Sequence, residues 1–418
     1  MNDIPCHRRT SCRLCGGDAL TKVLALTPTP PANGFVDESG LDEEQPAFPL
    51  DVHFCESCGH VQLLDVVDPE LLFANYVYVS GTSPVFVKHF EECVDTVLRK
   101  YGSGEGGGLV VDIGSNDGTL LKQFQTRGMT ALGVDPARDI AAKASAEGIE
   151  TLPTFFNAAL ADEIRTERGA AQVVTANNVF AHADGLGDIT DGIRILLAPD
   201  GVFVFEVSYL VDVFEKTLFD TIYHEHLAYH SVRPLVAFFA AHGMQLIAAE
   251  RISSHGGSLR GVAQVAGGPR TVEPSVADLI ALEKTLGLDR ADTLNAFGAR
   301  INAVKSELTA RLHELKAAGK TIAGFGAPAK ATTLMYHFGI GPDIVDFIVD
   351  DSPLKQGLYS PGMHIPVLPS SAIYSKKPDA VIILAWNFAE PIMRNHDKYL
   401  NQGGTFIVPL PKVKISRS

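Results

Sequence analysis

The sequence has no apolar run long enough to span a bilayer: its most apolar stretch, PLVAFFAAHGMQLIAA, is cut by His242 and Gly243. Its first ten residues, MNDIPCHRRT, lack the apolar core of a secretory signal. It also lacks positive charge, with 35 Lys and Arg against 49 Asp and Glu for a net −14, which disfavours a face for nucleic acid. No HExxH motif and no short-period repeat occurs. These absences predict a cytoplasmic chain with neither a membrane nor a nucleic acid as partner. What is present is a hydrophobic content of 46% over 418 residues, sufficient for two or three cores.

Residues 1–75 are rich in Cys, Pro and acidic residues and show little helical periodicity, which predicts a zinc-binding module held by a metal instead of a core. Residues 76–290 alternate short apolar runs (GLVVDIG, ALGVD, IETLP, QVVTANN, GVFVFEV) with helical patterns and end in two late strands, MQLIAAER and SLRGVAQVA. That is the pattern of a doubly wound α/β domain. Leu294, Phe297, Ile301, Val304, Leu308, Leu312 and Leu315 recur at steps of three and four, predicting a connecting amphipathic helix over 291–320. Residues 321–418 read as a second α/β unit with buried strands TIAGFG, IVDFIVD, AVIILAW and TFIVPL.

Cys12 and Cys15 form one CxxC and Cys55 and Cys58 another, each followed by glycine. Four thiolates complete a tetrahedral zinc shell and leave no position for water, so the expected ion is a single structural Zn2+. Two disulfides or a redox pair are the other readings; an intracellular chain disfavours the first and the duplicated motif the second. Cys6 and Cys93 stand outside the pattern.

LVVDIGSNDGTLL is a strand, a glycine-containing turn and a helix start, running through Asp112, Gly114, Ser115, Asn116, Asp117 and Gly118. A dinucleotide fingerprint would offer GxGxxG to pyrophosphate, whereas Asn116 and Asp117 place a side chain and a negative charge there. S-adenosylmethionine, cationic and free of phosphate, suits this turn better than NAD. Asp135 of GVDP follows Gly114 by 21 residues, where a carboxylate can accept both ribose hydroxyls. Asn177 and Asn178 end the next strand at the sheet's carboxyl edge. A set of plain turn residues is the bland alternative.

FDTIYHEHLAYH packs Tyr223, His224, Glu225, His226, Tyr229 and His230 into eight residues, and His182 of NNVFAHADG should face the same cleft. A histidine near neutrality can remove a proton and a neighbouring carboxylate can fix its tautomer. A metal site or a solvated face remains open from these residues alone.

The CxxC pairs, NYVYVSGTSP, VVDIGSNDGTLL, NNVFAH, YHEH, HGGSLR and GFGAPAK occur in this order along nearly the whole chain, which thereby resembles the bacterial zinc-containing, S-adenosylmethionine-dependent nucleotide-sugar C-3 methyltransferases of branched deoxysugar biosynthesis. The resemblance implies an N-terminal zinc module, a central class I methyltransferase domain of Rossmann-like fold and a C-terminal Rossmann-like domain. It implies a nucleotide-linked 4-keto-6-deoxyhexose as substrate, thymidine diphosphate being the expected carrier, bound in the cleft the domains share. Carried over by motif, His226 is the favoured base, with Tyr223, Glu225 and His182 around the sugar, His224 at the substrate, and Tyr76 or Tyr78 approaching from the N-terminal side. A ketone beside the reacting carbon lets the charge spread as an enolate, so His226 would remove the C-3 proton while Tyr223 or His182 donates to the oxygen and Glu225 orients the base.

GFGAPAK is by itself a GxGxxA turn of Gly324, Gly326 and Ala329, followed by Lys330, Asp350 and Asp351. In the family's context its amides and Lys330 would receive the pyrophosphate; a structural remnant of duplication is the other reading. Arg260 could reach a phosphate or cover the sheet edge. The rival functions are an NAD-dependent sugar-nucleotide oxidoreductase or epimerase, an O-methyltransferase, and a non-enzymatic zinc-ribbon scaffold. A monomer is compatible with the sequence, which does not fix the assembly.

Overall fold

A computed structural model describes residues 5–73, 81, 84–102 and 107–417. The central sheet has seven strands, in spatial order Met244–Ile252, Ser258–Val265, Leu197–Ser208, Ala171–Asn177, Leu109–Ile113, Thr130–Val134 and Thr151–Leu152. Only Ser258–Val265 runs against its neighbours. The first-laid strand Leu109–Ile113 therefore sits inside the sheet, and the order reverses beside it, which opens a ligand crevice at the carboxyl ends. Both faces are covered, so strands such as Leu109–Ile113 are buried throughout instead of alternating. This is the doubly wound α/β arrangement expected from the alternation of short strands and helices, in the class I methyltransferase form that the resemblance implied.

The C-terminal sheet has six strands, ordered Val367–Pro369, Phe347–Asp350, Ile322–Phe325, Ala380–Ile383, Thr405–Val408 and Lys414–Ser416, the last antiparallel. It is reached by the helix Ala291–Ala317, which buries Leu294, Phe297, Ile301, Val304, Leu308 and Leu312 on one face. Leu315 is partly buried against the same core.

The N-terminal region differs from expectation. Its strands Leu20–Thr29, Phe48–Cys55 and Val61–Leu63 form an antiparallel sheet whose fourth strand is Ala228–Tyr229, directly after the YHEH segment. Leu50, Val52 and Phe54 are buried in one hydrophobic core that continues into both α/β sheets, and Phe48 is buried as well. The module thus has a core as well as a metal site; its period of two escapes a search for helical spacing.

Among the described residues no helix is long and apolar enough to cross a membrane.

Candidate active site

The four knuckle sulfurs lie within 4.8 Å of one another. The nearest pairs join opposite knuckles, Cys12 to Cys58 at 3.7 Å and Cys15 to Cys55 at 3.6 Å. A tetrahedron with Zn–S of about 2.3 Å has sulfurs about 3.8 Å apart, so the spacing fits zinc and is far beyond a disulfide. Each knuckle turns back on itself: Gly16 N–H donates to Cys12 O and Gly59 N–H to Cys55 O. Gly59 is left-handed at φ +84°, and a Cβ there would collide with the Arg233 guanidinium. Four sulfurs so placed would fill a tetrahedral zinc shell and leave no position open for water.

The strand Leu109–Ile113 enters a turn in which Gly114, Asn116 and Gly118 all have positive φ. A Cβ on Gly114 would meet Val179 at 2.3 Å, so this position requires glycine for space as well as for its dihedral. Asp135 is buried, its Oδ2 accepting from Asn116 N and its Oδ1 from Ala137 N, both at 2.8 Å. Burial pushes its carboxyl up and the two amides oppose this. Each oxygen keeps a lone pair, the chemistry that a ribose diol needs.

Asp112 is buried beneath the turn, accepts from Thr175 Oγ1 at 2.6 Å, and is pushed up to about 7, chiefly by burial and then by the Asp135 charge. Asp117 accepts from Thr119 N and Oγ1 with Oδ1 and from Gly81 N with Oδ2. Its carboxylate thus caps the helix Thr119–Gln125 and pins the N-terminal segment, beyond the repulsion of phosphate expected of it. Asn178 has φ +56° and donates to Glu206 O. Among the described residues, both amide atoms of Asn177 and the Ser115 hydroxyl are buried without a partner, and orphaned groups at a cleft rim suit a polar ligand such as S-adenosylmethionine.

Val179, packed on Gly114, accepts from His182 N. The His182 ring stacks on His226 at 4.9 Å, and His226 on Tyr223 at 4.1 Å. Phe73 closes the row, 6.0 Å from His182. A short chain of contacts therefore leads from the cofactor turn to the YHEH segment. His226 Nδ1 lies 2.7 Å from Thr221 O; a carbonyl can only accept, so Nδ1 carries the hydrogen and Nε2 is the basic nitrogen. Glu225, expected to set this tautomer, is buried and accepts from Asn33 Nδ2 at 2.8 Å. The atom bonded to Nδ1 is the Thr221 carbonyl.

His224 points away from any cleft, contrary to its expected substrate contact. It is 1% exposed, its Nε2 donates to Phe48 O, and its ring meets Phe48 edge-on. Burial pushes it down to about 4, a neutral core histidine. His230 is likewise buried, 3.2 Å from Phe180 O, and pushed down to about 4. Arg260 turns inward, its Nη2 3.4 Å from Glu206, whose carboxylate also takes His89 Nε2 at 2.6 Å. Lys330 donates to Asn387 Oδ1 at 2.6 Å and lies over the Trp386 ring. Tyr76 and Tyr78 lie outside the described residues.

Sequence reasoning missed Thr221, Asn33 and Thr175. A backbone carbonyl has no residue-type signal, and Asn33 and Thr175 are ordinary until the partner across the fold is known.

Residues 12–73 match a family described as "Putative zinc binding domain", residues 86–249 a "Methyltransferase domain", and residues 253–411 a "C-methyltransferase C-terminal domain". The C-methyltransferase NovU of Streptomyces niveus is 36% identical over 97% of this chain and 96% of its own length. Two solved methyltransferases align to less than half of the chain. An S-adenosylmethionine-dependent methyltransferase from Clostridium acetobutylicum has 10% identity over 43% of this chain and 92% of its own, with TM-score 0.35. The magnesium protoporphyrin IX methyltransferase ChlM from Synechocystis has 16% identity over 43% and 83%, with TM-score 0.33. The oxidoreductase, O-methyltransferase and scaffold readings fall, and carbon is the accepting atom. The chain belongs to the zinc-binding, S-adenosylmethionine-dependent C-methyltransferases.

Proposed function

We propose that the protein methylates C-3 of a nucleotide-linked 4-keto-6-deoxyhexose, carried on thymidine diphosphate. The observation that carries this reading is His226, held by Thr221 O so that Nε2 is its basic nitrogen, with its ring stacked on His182 and tilted against Tyr223. Nε2 takes the C-3 proton; the C–H electron pair moves into the enolate and onto the C-4 oxygen, where Tyr223 or His182 donates a hydrogen bond. S-adenosylmethionine supplies an electrophilic methyl group. The new C–C bond forms as the S–CH3 bond breaks, and His226 later returns its proton to solvent. Asp135 receives the cofactor ribose; Asp112, Ser115, Asn116, Asn177 and Asn178 shape the turn around it. Glu225 fastens the segment to Asn33, and the motif alone assigns Tyr76 or Tyr78 to the sugar or the cofactor.

The C-terminal turn takes the nucleotide. It repeats the bonding of the first turn: Gly326 N donates to Val349 O as Gly114 N does to Val134 O, and Asp350 accepts from Ala327 N and Ser352 N as Asp135 does from Asn116 N and Ala137 N. Lys330 is its nearby cation, and one zinc ion serves the N-terminal module. The working division is residues 1–75, 76–290, 291–320 and 321–418.

The test mixes His226→Asn protein with S-adenosylmethionine and thymidine-diphosphate-linked 4-keto-6-deoxyglucose deuterated at C-3. The parent protein exchanges the deuterium and gives a C-methylated product by mass spectrometry; the variant does neither. Undiminished methylation by the variant removes His226 from the role of base.

A further inference from the structure

Thr221, whose carbonyl holds His226, follows a buried acid. Asp220 is fully buried where the methyltransferase sheet meets the C-terminal domain. Its Oδ2 accepts a 2.6 Å hydrogen bond from Nε1 of Trp386, the only tryptophan in the chain. Its Oδ1 is buried with no partner among the described residues. Lys330, in the first turn of the helix Ala329–Phe338, places Nζ 4.4 Å from the centroid of the same indole. A cation, a ring and a carboxylate thus stand in series. A cation on the π face makes the indole N–H a stronger donor, and a carboxylate at that N–H makes the ring a better seat for the cation, so the two contacts strengthen each other. Burial pushes the Asp220 carboxyl up and the Lys330 ammonium down, and the charge of each opposes the shift of the other. Two further ties fix the same backbone: Thr333 Oγ1 donates to Ile222 O at 2.8 Å, and Phe219 stacks on Phe338 at 5.1 Å.

We propose that Asp220, Trp386 and Lys330 form a positioning relay through which the C-terminal domain sets the Thr221 carbonyl and hence the ring of His226. The inference rests on His226 being the base. None of the three touches the reacting carbon. An anion arriving at the C-terminal turn competes for Lys330, so occupancy of that turn is felt at Thr221.

The test measures kcat and KM of full-length variants for methyl transfer to a thymidine-diphosphate-linked 4-keto-6-deoxyhexose, with Tm measured alongside. Trp386→Phe keeps a ring beneath Lys330 but has no N–H. It is expected to lower kcat by about tenfold or more while KM for S-adenosylmethionine changes by less than about twofold. Asp220→Ala should fall with it, whereas Asp220→Asn, whose amide oxygen still accepts from the indole, should keep most of kcat. Trp386→Phe with kcat within about twofold of the parent overturns the relay, as does a loss equal in all three variants that follows Tm. If Asp220→Ala does not fold, the contrast of Trp386→Phe with Asp220→Asn decides. His226→Asn serves as control: full activity there overturns the choice of base, while the effect of Trp386→Phe still judges the relay.

Discussion

The bond from Nδ1 of His226 to Thr221 O leaves Nε2 as the basic nitrogen, and Asn at position 226 would offer no base at all. Methyl transfer by His226→Asn is expected to fall by about a hundredfold or more, read as kcat/KM. Asp135 holds the Asn116 amide of the cofactor turn and the Ala137 amide of its own loop. Asp135→Asn exchanges an acceptor for a donor, and the loss of charge-assisted hydrogen bonds worth about 1.5–3 kcal/mol predicts a Kd for S-adenosylmethionine raised by about tenfold or more, checked by calorimetric titration. The buried histidines set a pH limit. His224 and His230 titrate near 4 when folded and near 6.5 when unfolded, so the unfolded chain binds more protons between these values. Stability is complete above about pH 6.5 and lost as pH falls toward 4, by about 3 kcal/mol for each ring. Tm followed from pH 7 to 5 should drop, and His224→Gln should flatten the slope.

At the scale of elements, the zinc knuckles are joined to the site through a strand. Ala228–Tyr229 pairs with Val61 and Gln62, seven residues or fewer from Cys55 and Cys58, and Leu63 N donates to Leu227 O just after YHEH. A chelator should therefore remove methyl transfer in parallel with the loss of Tm, although the ion has no open coordination position; restored zinc should restore both. Activity retained after the metal is gone would separate the module from the site. The knuckles were legible because two CxxC pairs have few uses, and the long helix because its apolar residues keep a period of 3.6 over 27 positions. The two-residue strand Ala228–Tyr229 was not, since a pair of residues has no period. His224 and His226 look alike in sequence; the chain turns through Tyr223–His226, with His226 N donating to Tyr223 O, and this sends one ring into the core against Phe48 and the other against Tyr223.

Across the whole molecule, the core is continuous from Leu50 of the first sheet through Phe205 of the second to Ile382 of the third. Leu308, fully buried on the connecting helix, is a shared strut: Leu308→Ala should cost about 2–5 kcal/mol. Because the layers share that core, calorimetry should record one lowered transition instead of a separate early melting of one layer. The alternation of strands and helices foretold the two α/β sheets but not the N-terminal one, and the joining of the layers depends on side chains that meet only after folding, such as Trp386 and Asp220.

The strand Ala228–Tyr229 also imposes an order on biosynthesis. Val61–Leu63 leaves the ribosome some 165 residues before the strand that borders it. Until then the nascent zinc fold exposes a bare edge, open to pairing with a neighbouring nascent chain. Early metal capture by Cys12, Cys15, Cys55 and Cys58 would hold that edge in register while the rest is still being translated.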